Sequence, residues 1–138
     1  MEKHVYQAIR ERILGKKIKE IKDDSVLVLE DGTRLELYES DQDCCAGAYG
    51  DWKILEADDL EAGITDIEFV DRHHYEGDYI DSAYSTMNIN ILHNQNPLAS
   101  AKCYADSGNG GYYFSALSLR VVVPGLKDLT WGVLDSFE

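Results

Sequence analysis

The chain has 138 residues, 44% of them hydrophobic, with only 2 prolines and 11 glycines. That composition supports one packed core and excludes a disordered or collagen-like chain. Its 13 Lys and Arg stand against 26 Asp and Glu, a net charge of −13, and such a field repels nucleic acid and anionic membranes while attracting basic surfaces.

In chain order, residues 3–14 predict a helix, because Val5, Ile9 and Ile13 recur every four residues with Tyr6 beside them; Gly15 stops it. Residues 17–22 predict a short polar strand. Residues 25–30 and 33–38 flank Asp31-Gly32 and predict a hairpin, since glycine accepts the positive φ of the turn. Residues 39–63 carry small residues, a Trp and many acids without a strand period; they predict a loop with a short helix or turn near 46–49 or 57–60. Residues 64–71 predict a strand and 73–81 a polar turn. Residues 84–93 alternate, with Met87, Ile89 and Ile91 on one face; 94–97 predict a turn. Residues 98–106 and 112–123 predict two strands joined by 107–111, and 131–137 a short final one.

The expected fold class is α+β: a single domain over 1–138, with a helix in 1–15 packed on a twisted, mainly antiparallel β-sheet of about six or seven strands formed by 16–138. No stretch is apolar enough to span a membrane, and the charged N-terminal segment has no signal-peptide core. Three cysteines, an odd number, predict free thiols in a reducing compartment, so a cytoplasmic location is expected.

The charge is unevenly distributed. Residues 1–22 hold seven Lys/Arg and three Asp/Glu; residues 23–82 hold three and 19; residues 83–138 hold three and four. Between residues 38 and 84 the acids interleave with Tyr38, Tyr49, Trp52, Tyr75, Tyr79 and Tyr84. Tyr and Trp suit interfaces, because each buries an apolar body behind a polar tip. Carboxylates on a rigid surface can imitate the phosphates of a duplex and enter a basic groove. The residues expected to meet such a partner are Asp41, Asp43, Asp58, Asp59, Glu61, Glu76, Asp78 and Asp81, with Tyr75 and Tyr79 as anchors.

Other chemistry is less well supported. Cys44, Cys45, Cys103, His73 and His74 could hold zinc, but adjacent cysteines on an extended chain point opposite ways and the spacing is not that of a zinc site. Asp41 and Asp43 would share a face on a strand and could bind a divalent ion for hydrolysis, yet a phosphate substrate would enter an acidic field. The 107–111 turn lacks the G-K-[ST] ending of a phosphate loop. No catalytic residue, metal or cofactor is assigned.

The stretch DGTRLELYESDQDCCAGAYGDW at 31–52 resembles a family of small uncharacterised phage and prophage proteins, with Asp-Gln-Asp-Cys-Cys-Ala (41–46) its most specific block. ITDIEFVD (64–71) and 88–119 fit the same family, and the likeness covers about 26–120, leaving the basic helix outside. The family carries no activity to transfer. What the resemblance implies is context: a mobile-element protein in a bacterial cytoplasm, where acidic accessory proteins often block host nucleic-acid machinery. An inhibitor of a CRISPR effector or restriction enzyme is therefore expected, with a zinc-binding or thiol-bearing domain, or a small hydrolase, as alternatives.

Overall fold

The computed structural model describes residues 2–43, 45–55, 61–76, 83–108 and 113–137. One helix, α1 (Lys3–Ile13), precedes nine strands: β1 (Ile18–Lys22), β2 (Val26–Leu29), β3 (Arg34–Gln42), β4 (Ala48–Ile54), β5 (Asp66–Tyr75), β6 (Tyr84–His93), β7 (Asn96–Asp106), β8 (Ser115–Val122) and β9 (Leu129–Asp135). The strands form two antiparallel sheets, ordered β1-β2-β3-β8-β9 and β4-β7-β6-β5.

This corrects the expected α+β class with a helix packed on one sheet. The molecule is mainly β, and its two sheets bury their apolar faces in one shared core. Leu35 and Leu37 of β3 and Leu117, Leu119 and Val121 of β8 share that core with Ile89 and Ile91 of β6 and Ala99, Ala101, Cys103 and Ala105 of β7. Fully burying one Leu or Ile side chain contributes about 1.5–3 kcal/mol, so sheet-on-sheet packing dominates the stability. Val5, Ile9 and Ile13 of α1 are buried as their spacing predicts, and Gly15 ends the helix at φ 79°.

The hairpin at Asp31-Gly32 forms as expected: Gly32 has φ 91°, and Leu29 N–H donates to the Thr33 carbonyl at 2.8 Å. Two other expectations fail, each for a physical reason. Part of the loop predicted for 39–63 is strand: β3 runs on to Gln42 and β4 occupies Ala48–Ile54. The missed strand alternates small and large inward residues, Ala48, Gly50 and Trp52. Gly50 lets the facing sheet come close, because a Cβ there would lie 2.6 Å from Leu37 Cδ1 and 3.1 Å from Leu37 Cβ and would force Leu37 to shift. The turn predicted from His73 is strand as far as Tyr75, because a register shift between Val70 and His73, with Asp71 at φ 58°, lets β5 resume pairing with β6. The helix or turn predicted near 57–60 lies outside the described residues.

No helix of the described residues is long and apolar enough to cross a membrane.

Candidate partner-binding surface

Antiparallel pairing gathers strand ends that are far apart in sequence. Tyr75 pairs with Tyr84, Tyr84 with Asp106, and Ala48 with Ala105 in the four-stranded sheet. In the other sheet Gln42 pairs with Ser115 and Ala116 with Asp135. Ser115 Oγ lies 2.8 Å from the Asp106 carbonyl oxygen and 3.0 Å from that of Gly47, its one hydroxyl proton serving this pair, which ties the two sheets together at this end. Glu39, Asp41, Asp43, Glu76, Asp106 and Asp135 therefore come to one end of the molecule. The described residues that build that end, 35–43, 45–49, 73–76, 83–87, 103–108, 113–118 and 131–137, include no Lys or Arg, and Arg72 beside them lines a hollow with Phe114 and Asp135.

The basic N-terminal segment lies at the other end. Gly15 N–H donates to the Ile64 carbonyl at 2.7 Å and Ile64 N–H to the Lys16 carbonyl at 2.8 Å. Arg10 Nε lies 3.4 Å from Asp66, Lys16 Nζ 3.0 Å from Asp31 and Lys17 Nζ 3.1 Å from Glu61. The Tyr6 hydroxyl also donates to Asp66. Burial pushes the Asp31 carboxyl up, but the hydrogen bonds from Thr33 and Lys16 together outweigh it and hold the group below its ordinary value. The chain thus neutralises part of its own acidic segment at the basic end, while among the described residues of the opposite end carboxylates outnumber bases, Arg72 lining a hollow with Asp135.

Four tyrosines cross the outward face of the four-stranded sheet beside the acidic end. Ring centroids are 4.8 Å apart for Tyr75–Tyr84, 5.6 Å for Tyr84–Tyr104 and 5.0 Å for Tyr104–Tyr49. They come from β5, β6, β7 and β4, the complete strand set of that sheet. Tyr49 and Tyr75, at the ends of the row, are 54% and 43% exposed. Partial burial and the hydrogen bond with Asp106 push the Tyr104 phenol up to about 12. Asp106 Oδ1 also accepts Gly47 N–H at 3.1 Å and Gly108 N–H at 2.9 Å, so this carboxylate pins two loops.

Of the residues expected to meet a partner, Asp41, Asp43, Tyr75 and Glu76 lie at the acidic end. Glu61 does not: it sits at the basic end against Lys17. Asp58, Asp59, Asp78, Tyr79 and Asp81 fall outside the described residues. Asp41 and Asp43 do not present a shared metal-binding face. Asp41 Oδ1 accepts Gln42 N–H at 2.9 Å, and Asp43 Oδ2 accepts Phe114 N–H at 2.9 Å. Sequence reading missed Tyr104 and Asp106, although the alternation of Ala99, Ala101, Cys103 and Ala105 against Ser100, Lys102, Tyr104 and Asp106 marks them as outward residues.

The described residues hold no group of three or more His, Cys, Asp or Glu placed to bind a metal ion. Cys44 lies outside them, Cys45 is exposed, and Cys103 is buried. Burial, with Asp51 adding to it, pushes the Cys103 thiol up to about 12, which keeps it protonated and a poor nucleophile. His74 Nδ1 lies 2.8 Å from Ser85 Oγ and His74 Nε2 3.4 Å from Glu76. This has the order of a serine–histidine–acid series, but Ser85 is fully buried and its hydroxyl cannot meet a substrate.

The fold and this end together define a mainly β, two-sheet domain with an acidic, tyrosine-bearing terminus. The chain belongs to the DUF7448 family, a domain of unknown function, whose model matches residues 11–119. That span contains β1 to β7 and most of β8; it leaves out most of α1 and all of β9. No curated protein and no solved structure matches the chain.

Proposed function

We propose that this chain is a binding protein that docks its acidic end onto a basic protein surface which otherwise holds nucleic acid, and so blocks that surface. One observation carries the reading: six carboxylates and a row of four tyrosines lie together at one end, where they outnumber the nearby base Arg72 of β5, which lines a hollow with Phe114 and Asp135. Fixed carboxylates attract a basic groove from a distance and lose that attraction as salt rises. The tyrosines add apolar contact area at small entropic cost. The finer form of the proposal is a phage or prophage product that inhibits a host defence nuclease, of the anti-CRISPR or anti-restriction kind, in a bacterial cytoplasm.

The test uses the immobilised chain and a bacterial lysate. The expected catch is a nucleic-acid-binding protein that elutes with salt and is displaced by duplex DNA. The D41N/E76Q variant should hold it about fivefold more weakly. Capture that ignores both DNA and this variant would sink the proposal.

A further inference from the structure

We infer that the partner presents arginine rather than lysine, and that the exposed ring of Tyr49 with the Asp51 carboxylate forms the clamp that receives a guanidinium. This rests on the proposed function, because it specifies the cation that the tyrosine-bearing end meets.

The chain already contains one occupied clamp of this kind. On the outer face of β3, Glu36 and Tyr38 are two residues apart and so point the same way. Arg120 of β8, opposite Glu36 in register, places its guanidinium carbon 4.2 Å from the Tyr38 ring centroid. Its Nη1 lies 3.3 Å from Glu36 Oε1. A ring face and a carboxylate together hold a planar cation that stacks and forks hydrogen bonds at once.

Tyr49 and Asp51 repeat this spacing on the outer face of β4, where both are exposed. The ring neighbour of Tyr49 among the described residues is Tyr104, on the β7 side. The strand order makes β4 an outer strand of its sheet, so the β7 side is the only one on which a paired strand supplies a ring. Beyond β4 comes the β1–β2 turn, whose Asp24 carbonyl accepts Trp52 N–H at 2.7 Å. That contact sets the turn carrying Asp23 and Asp24 next to Trp52, while Lys53 and Lys102 line the hollow that holds Tyr49, Asp51 and Tyr104. Lys102 stands across from Asp51 in register, but among the described residues no ion pair joins them. An ammonium is a compact, strongly hydrated point charge that cannot stack and fork together, whereas a guanidinium does both.

The experiment measures binding of two labelled peptides of equal length and charge, one arginine–glycine and one lysine–glycine, to the full chain at low salt. The arginine peptide should bind about fivefold more tightly. Tyr49→Leu should abolish that preference and Tyr49→Phe, which keeps the ring, should retain it; Asp51→Asn should weaken the arginine peptide more than the lysine one. Tyr49 is half exposed, and matching thermal melts will verify that each variant is folded. Equal binding of both peptides overturns the clamp and leaves the proposed function standing. Binding of neither peptide overturns both.

Discussion

Asp43 and Phe114 hold each other by reciprocal hydrogen bonds: Asp43 N–H donates to the Phe114 carbonyl at 2.7 Å, and Phe114 N–H donates to Asp43 Oδ2 at 2.9 Å. The residue that follows β3 is therefore fastened to the residue that precedes β8.

From this pair we expect Asp43→Ala to lower stability by about 1 kcal/mol, since a hydrogen bond to a charged acceptor is strong but this one is exposed. Asp43→Asn keeps an accepting oxygen and should lose less. Urea midpoints at an unchanged slope will measure both. Equal losses would show that charge, not the paired amide, is what Asp43 contributes.

Gly50→Ala should be more damaging than its exposed strand neighbours suggest. Its Cβ would meet Leu37 Cδ1 at 2.6 Å, Leu37 Cβ at 3.1 Å and Leu117 Cδ2 at 3.3 Å, all from the facing sheet. Overpacking of this kind costs about 1–3 kcal/mol. Pairing G50A with Leu37→Ala should recover part of the loss, because the neighbour then gives way. A double variant that is no better than the sum of the two would refute this account of the sheet contact.

Stability should fall in alkali. Cys103 is raised from 9.0 to about 12 and Tyr104 from 10.0 to about 12, both chiefly by burial. The folded state favours the neutral form of each. Their contribution is therefore complete below 9.0 and 10.0 and is lost as pH rises towards 12. Chemical denaturation across that range should show a declining midpoint, and Cys103→Ala should flatten the decline. Under native conditions near neutral pH, a thiol reagent should leave Cys103 unlabelled and modify the exposed Cys45. Rapid native labelling of Cys103 would contradict its burial.

Glu61→Gln should change little. The carboxylate is 86% exposed beside Lys17, and such pairs are worth at most about 1 kcal/mol. Because Glu61 lies at the basic end, the variant should also leave partner capture unaltered, in contrast to D41N/E76Q. A loss of capture equal to that of D41N/E76Q would move the docking surface to the wrong end of the molecule.

Features confined to one segment are legible in the amino-acid order. The four-residue recurrence of Val5, Ile9 and Ile13 marks the buried stripe of α1. The Asp31-Gly32 pair marks the hairpin, and the alternation of Met87, Ile89 and Ile91 marks the inner face of β6. Helical or strand periodicity enforces each of these patterns locally. β4 is not legible in this way, because its inward positions are Ala48, Gly50 and Trp52, whose sizes answer to the opposite sheet rather than to any local period. The continuation of β5 past Val70 is hidden by a bulge, which shifts the alternation by a residue.

What the amino-acid order determined by itself was where the apolar periods run and how the charge is divided along the chain: a basic beginning, an acidic middle, a nearly neutral remainder. Tertiary structure alone decided that the strands split into two sheets, and that Glu61 faces Lys17 while Asp106 and Tyr104 join Asp41, Asp43, Tyr75 and Glu76 at the far end. The physical reason is that strand pairing is non-local. Register between segments dozens of residues apart chooses which outward side chains become neighbours, and no single segment encodes that choice.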